Sequence, residues 1–198
     1  MELNDIIDDF NRLKYSKLKK LVEENGMSKS GFCQAIKHPF LVGKEFYDGH
    51  FAPGDDDILS DSTVKFSVKE IRTDVGEKDT VKSTAAKIRS DAMSRAMYIL
   101  KKKEVNTDND FISIGRRRTN DIVMLDFAFS KEHAAITLHD GMYFIVDRGS
   151  TNGTEVNGIR IEPNTEVPVD IGTRINFGQR FCFVLTDPMN VYDKIIIT

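Results

Sequence analysis

The sequence predicts a mainly β protein, an antiparallel sandwich or barrel with a partly helical N-terminal extension. Short apolar runs recur about ten times between Met97 and Leu185, separated by turn residues. Asp140-Gly141 and Asn157-Gly158 fall between such runs. These dipeptides favour tight hairpins, because both central residues tolerate positive φ. Ile136-Thr137-Leu138 and Ile175-Asn176-Phe177 alternate apolar with polar residues, the period of a strand with one buried face.

Residues 1–95 form the extension. Leu3, Ile6, Ile7, Phe10, Leu13, Leu18, Leu21 and Val22 fall mostly at spacings of three to five, which predicts an amphipathic helix over about 3–24 with Asn25-Gly26 as its stop. Its apolar face docks on the chain's own body or on a partner or second copy. Ser28 to His38 reads as a short helix ended by Pro39, and Phe40-Leu41-Val42 as a short strand. Gly49 to Asp57 is a solvated loop, in which His50 and Asp55 to Asp57 lack any metal-ligand spacing. Val64, Phe66 and Val68 alternate like a short strand. Residues 74–95 read equally as a weak helix or a linker, and a domain boundary is placed at their end. The sandwich then occupies 96–187, and 188–198 is a C-terminal tail with Tyr192, Ile195 and Ile196 available for packing.

Composition narrows the function. The 198 residues suit one domain with an extension or two small domains, and 40% hydrophobic content with 13 Phe can supply a core. A net charge of −3 disfavours a broad nucleic-acid footprint. From Asn106 onward there are nine Lys/Arg against thirteen Asp/Glu, yet Arg116, Arg117 and Arg118 are consecutive. A cationic loop on an acidic domain suits one small anionic target. Cys33 and Cys182 lie among apolar neighbours without CxxC or Cys/His spacing, as buried free thiols do in a reducing compartment. No apolar run is long enough to span a bilayer, and the acidic start Met-Glu-Leu-Asn-Asp lacks a signal peptide's basic residues. The expected location is cytoplasmic, with no membrane or nucleic-acid partner and no cofactor.

Three polar clusters sit between strand-like runs: Gly115 to Ile122, Ser130 to His133, and Asp147 to Gly158. Gly115 permits a tight approach, and Arg116 offers a planar fork of donors suited to phosphate oxygens. Ser130 can donate to the same anion, and Lys131 can add a charge at the rim. Thr151 supplies a hydroxyl, and Asn152 an amide able to both donate to and accept from a peptide backbone. His133 has no nucleophile-base-orienter arrangement beside it, so an esterase-like enzyme is not expected.

These residues resemble the forkhead-associated (FHA) domain. Ile-Gly-Arg with Asn120-Asp121-Ile122, Ser130-x-x-His133-Ala134, and Asp147-x-x-Ser150-Thr151-Asn152-Gly153-Thr154-x-Val156-Asn157-Gly158 follow the family's order and spacing across about residues 97–186. The resemblance implies an eleven-stranded β-sandwich whose loops bind a phosphothreonine peptide. By position, Arg116 and Ser130 would hold the phosphate, Lys131 and Thr151 would assist, and Asn152 would bond the peptide backbone. Gly115, His133 and Gly153 would support the site. Phe127, Ala128 and Phe129, in the loop that reads the residue three positions after the phosphothreonine, imply an apolar preference there.

The expected function is a non-enzymatic phosphothreonine-dependent adaptor downstream of a Ser/Thr kinase. Its ligand is a phosphorylated partner or the chain's own extension, where Thr73, Thr80 and Thr84 lie. The alternative is a structural or assembly subunit whose sandwich makes phosphate-independent protein contacts.

Overall fold

A computed structural model of the chain describes residues 6–49, 92–103 and 110–197. The short strand over Val64 to Val68, most of the acidic loop and most of the 74–95 segment lie outside the described residues.

Residues 6–13 depart from the helix expected over 3–24. The Asp8 carboxylate accepts the backbone N–H groups of Phe10 (2.9 Å) and Arg12 (3.0 Å), and Arg12 Nε donates to it at 2.8 Å. Asn11 takes φ +57°, and Ile7 bridges Leu13 across the turn. A local side chain thus takes backbone donors that a helix would have used. Helix α1 covers only Tyr15–Glu23 and buries Tyr15, Leu18 and Val22. Helix α2 (Lys29–Ala35) starts at Ser28, whose hydroxyl accepts the Gly31 N–H at 3.1 Å. Strand β1 (Phe40–Gly43) follows, then a single-turn helix α3 (Lys44–Tyr47).

Ten further strands follow, matching the ten apolar runs. They are β2 (Met97–Ile99), β3 (Phe111–Gly115), β4 (Ile122–Val123), β5 (Ala134–His139), β6 (Met142–Asp147), β7 (Thr154–Val156), β8 (Ile159–Arg160), β9 (Val167–Val169), β10 (Arg174–Phe177) and β11 (Phe181–Thr186). With β1 they form two sheets. One has the order β2-β1-β11-β10-β7-β8, the other β4-β3-β5-β6-β9. The pairings are antiparallel except β3 with β4. Strand β1 lies between β2 and β11, with Leu41 opposite both Tyr98 and Leu185. The sandwich therefore draws on chain from both sides of the boundary placed near residue 95.

Two apolar layers result from the period of two. Leu41 and Tyr98 point into the sandwich with Phe129, Phe177, Phe181 and Phe183. Phe40, Val42, Met97 and Ile99 point the other way, onto Leu18 and Phe32. Strand β1 is buried on both faces, which is why its run is continuously apolar. The tail is a helix, α4 (Pro188–Ile197), whose Val191, Tyr192 and Ile195 join this second layer. Tyr192 Oη donates to the Met27 carbonyl at 2.7 Å, and Lys29 pairs with Asp193 at 2.6 Å. The helices cover the outer face at the β2-β1-β11 end and leave the loops at Gly115, Ser130 and Thr151 on the surface.

Candidate anion-binding site

Strand β3 ends where two backbones nearly touch. A β-carbon on Gly115 would lie 2.6 Å from the Lys131 carbonyl oxygen and 3.0 Å from the His133 nitrogen. This approach lets Arg116 N–H donate to the Ser130 carbonyl (2.9 Å) and Arg117 N–H to that of Lys131 (3.1 Å). The buried Asn120 side chain donates to the carbonyls of Arg117 (2.8 Å) and Lys131 (2.7 Å). Beneath it, fully buried Asp121 accepts from the Ser113 backbone (2.8 Å), the Ser113 hydroxyl (2.7 Å) and the Lys103 backbone (2.9 Å). The first loop is thus fixed to the second by amides and carbonyls that water cannot easily reach.

Arg116 Nε donates to the Phe129 carbonyl at 3.3 Å, and its guanidinium lies over the Phe127 ring, 4.9 Å from the centroid. Phe127 is 88% exposed, although Asp126 steadies its loop by accepting the Ala128 N–H at 2.8 Å. The terminal guanidinium nitrogens of Arg116 have no acceptor among the described residues, leaving a fork of donors for a ligand.

His133 supports the second loop. Its Nδ1 accepts the Ser130 backbone N–H at 3.1 Å, so the ring proton is on Nε2, which donates to the Gly153 carbonyl at 3.2 Å. The ring is fully buried, against Phe129 and Phe177 at centroid distances of 5.3 and 5.4 Å. Burial lowers its pKa below the ordinary histidine value, against the opposing effects of the Gly153 carbonyl and Asp147. Both nitrogens are engaged with backbone, so neither is placed to take a proton from Ser130 Oγ.

The third loop turns on Asp147, which accepts the Ser150 N–H (2.8 Å), the Ser150 hydroxyl (2.7 Å) and the Thr154 hydroxyl (2.6 Å). Burial alone would raise this carboxyl's pKa; the three hydrogen bonds and neighbouring His133 outweigh it and hold the group below its usual range. The Ser150 hydroxyl in turn accepts the Gly153 N–H at 2.9 Å. This relay presents Thr151 and Asn152 outward.

The second and third loops then meet. Ser130 Oγ accepts the Thr151 N–H at 3.0 Å and lies 3.4 Å from the Thr151 hydroxyl, while Asn152 Nδ2 donates to the Ala128 carbonyl at 2.8 Å. Arg116, Ser130, Thr151 and Asn152 therefore lie on three loops, the first and third each bonded to the second, with Lys131 exposed on the second. Gly115, His133 and Gly153 lie buried behind them. Asn120, Asp121 and Asp147 also build the site, and the sequence showed them only as polar members of the motif. Their one sequence signal is Asp147-x-x-Ser150, a spacing at which a carboxylate can accept both a backbone and a hydroxyl proton. Among the described residues no cluster of three or more His, Cys, Asp or Glu is arranged for a metal. No helix among them is long and apolar enough to cross a membrane.

Guanidinium, hydroxyl and amide groups thus lie together at the loop end of the β-sandwich. Residues 112–178 match the family model of the FHA domain. It is similar to the glycogen accumulation regulator GarA of Mycolicibacterium smegmatis, 35% identical over 81 residues, covering 41% of this chain and 49% of that protein. It is also similar to an oxoglutarate dehydrogenase inhibitor of Corynebacterium efficiens, 32% identical over 81 residues, covering 41% of this chain and 55% of that one. Among solved structures, the FHA domain of an Arabidopsis thaliana hypothetical protein is 28% identical, with a TM-score of 0.39, covering 46% of this chain and 73% of that one. The chain spans about half the length of these curated relatives.

Proposed function

We propose that the chain is a phosphothreonine-dependent peptide-binding module, a non-enzymatic cytoplasmic adaptor that acts downstream of a Ser/Thr kinase. The observation that carries this reading is the joining of the Arg116, Ser130 and Thr151 loops, with two hydroxyls in contact and the terminal guanidinium nitrogens of Arg116 without an acceptor among the described residues. Arg116 and Ser130 hold the phosphate, Lys131 and Thr151 assist, and Asn152 bonds the peptide backbone. The engaged nitrogens of His133 speak against a Ser-His nucleophile. Relatives named as an inhibitor and a regulator are in keeping with a non-catalytic role. Phe127, exposed beside Arg116, favours an apolar side chain after the phosphothreonine.

The test is calorimetric titration of the full chain against an oriented phosphothreonine library. The best peptide is then measured in phosphothreonine, phosphoserine and unmodified forms, and the chain's own segments around Thr73, Thr80 and Thr84 are included as phosphopeptides. Arg116→Ala should fold normally and lose about tenfold or more in affinity, since a charge-assisted hydrogen bond contributes about 1.5–3 kcal/mol. Equal binding of the phosphorylated and unmodified peptides would point instead to an assembly subunit with phosphate-independent contacts.

A further inference from the structure

Arg160, on edge strand β8, lies opposite Glu155 of β7 in the ladder, where a cross-strand ion pair would be ordinary. No such pair forms. The Glu155 carboxylate instead accepts the Asn176 side-chain amide at 3.0 Å. The guanidinium turns toward the binding loops. A β-carbon placed on Gly153 would be 2.4 Å from Arg160 Cζ and 2.5 Å from Nη2, so the fork occupies the space beside that glycine. Gly153, at φ +80°, has no side chain to exclude it. Asn152 and Thr151 are the two residues before it in the same loop. Among the described residues no acceptor takes the Arg160 donors, and the residue is exposed.

A further cation, besides the Arg116 to Arg118 run and Lys131, thus stands against the third loop at Gly153, with its hydrogen-bonding capacity unspent. Its planar fork matches a carboxylate or phosphate. We infer that Arg160 is a specificity residue of this site, reading an anionic side chain (a carboxylate or a second phosphate) near the phosphothreonine. The inference rests on the phosphothreonine reading above. Because Arg160 also contacts Gly153, a positioning role for the loop is the competing explanation, and the two differ in what they do to neutral peptides.

The experiment titrates the full chain with phosphothreonine peptides bearing Ala, Glu or phosphoserine in turn at each of the three positions on either side. Arg160→Gln, Arg160→Lys and Arg116→Ala are run in parallel, with melting curves to check the fold. The wild type should prefer Glu or phosphoserine over Ala at one or two of these positions by about fivefold, the upper range for an exposed ion pair, and less so at high salt. Arg160→Gln should erase that preference and leave the all-Ala peptide unchanged; Arg160→Lys should keep part of it. Separate arms for Glu and phosphoserine tell carboxylate from phosphate. Equal weakening of every peptide by Arg160→Gln would make the residue a prop of the loop and overturn the inference, as would an unchanged preference. If Arg116→Ala binds all peptides like the wild type, the phosphothreonine reading fails first and this inference with it.

Discussion

Gly115 and Gly153 meet different obstacles, and substitution separates them. A methyl group on Gly115 meets the Lys131 carbonyl, which is backbone and cannot swing aside. On Gly153 it meets a mobile guanidinium, but the φ of +80° itself disfavours a side chain. Gly115→Ala should cost about 1–3 kcal/mol of stability by overpacking, and Gly153→Ala about 1–2 kcal/mol of backbone strain. Only Gly115→Ala pushes the Ser130 loop away from Arg116, so it should lose more phosphopeptide affinity than its melting shift alone implies; an equal loss in both variants would reject that geometry. His133 supplies a pH dependence. Its folded pKa lies below the unfolded value of about 6.5, so its stabilising contribution is complete above that pH and is lost as pH falls toward the folded pKa. Melting of the unliganded chain should weaken below about pH 6.5, with NMR showing a neutral His133 carrying its proton on Nε2; an imidazolium signal above that pH would contradict the buried tautomer. The candidate site residues Arg116, Ser130, Thr151 and Asn152 could be picked out in the sequence because motif spacing reports them. Asn120 and Arg160 were not, since what they do depends on carbonyls and a glycine distant in the chain.

At the scale of elements, the segment before α1 braces the first loop. Val123 N–H donates to the Phe10 carbonyl at 3.3 Å, and the Arg118 guanidinium lies 5.5 Å from the Phe10 ring centroid. Ile99 N–H donates to the Asn11 carbonyl, joining the same segment to β2. Phe10→Ala should therefore reduce phosphopeptide affinity several-fold while the circular dichroism spectrum stays native; unchanged affinity would show that the brace does not reach the site. Neither the brace nor the turn that forms it could be read from periodicity. Ile6, Phe10 and Leu13 have helical spacing, but Asp8 and Asn11 are residues that take up backbone hydrogen bonds locally. The strands were far more legible. Alternation and Asp-Gly or Asn-Gly turns are local signals, so β5 with β6 and β7 with β8 could be read as hairpins. Strand β1 was visible as a short apolar run, but its pairing with β2 and β11 was not, because pairing across so long a separation leaves no mark in the intervening sequence.

For the whole molecule, β1 ties residues 6–49 into the sandwich. Removing them uncovers the facing edges of β2 and β11 and strips Met97, Ile99, Val191 and Ile195 of their apolar cover. The isolated 96–198 piece should accordingly be poorly folded, with weak proton chemical-shift dispersion, and adding a separate 1–49 peptide should restore a native spectrum and phosphopeptide binding. A well-dispersed 96–198 spectrum would disprove this dependence. The same interleaving has a consequence for wear. A cut between residues 49 and 92 does not separate the two parts, because one is wedged as a central strand in the sheet of the other and held under α4. The protein would survive such damage as a clasp survives a broken chain, closed by its fit rather than by its covalent continuity.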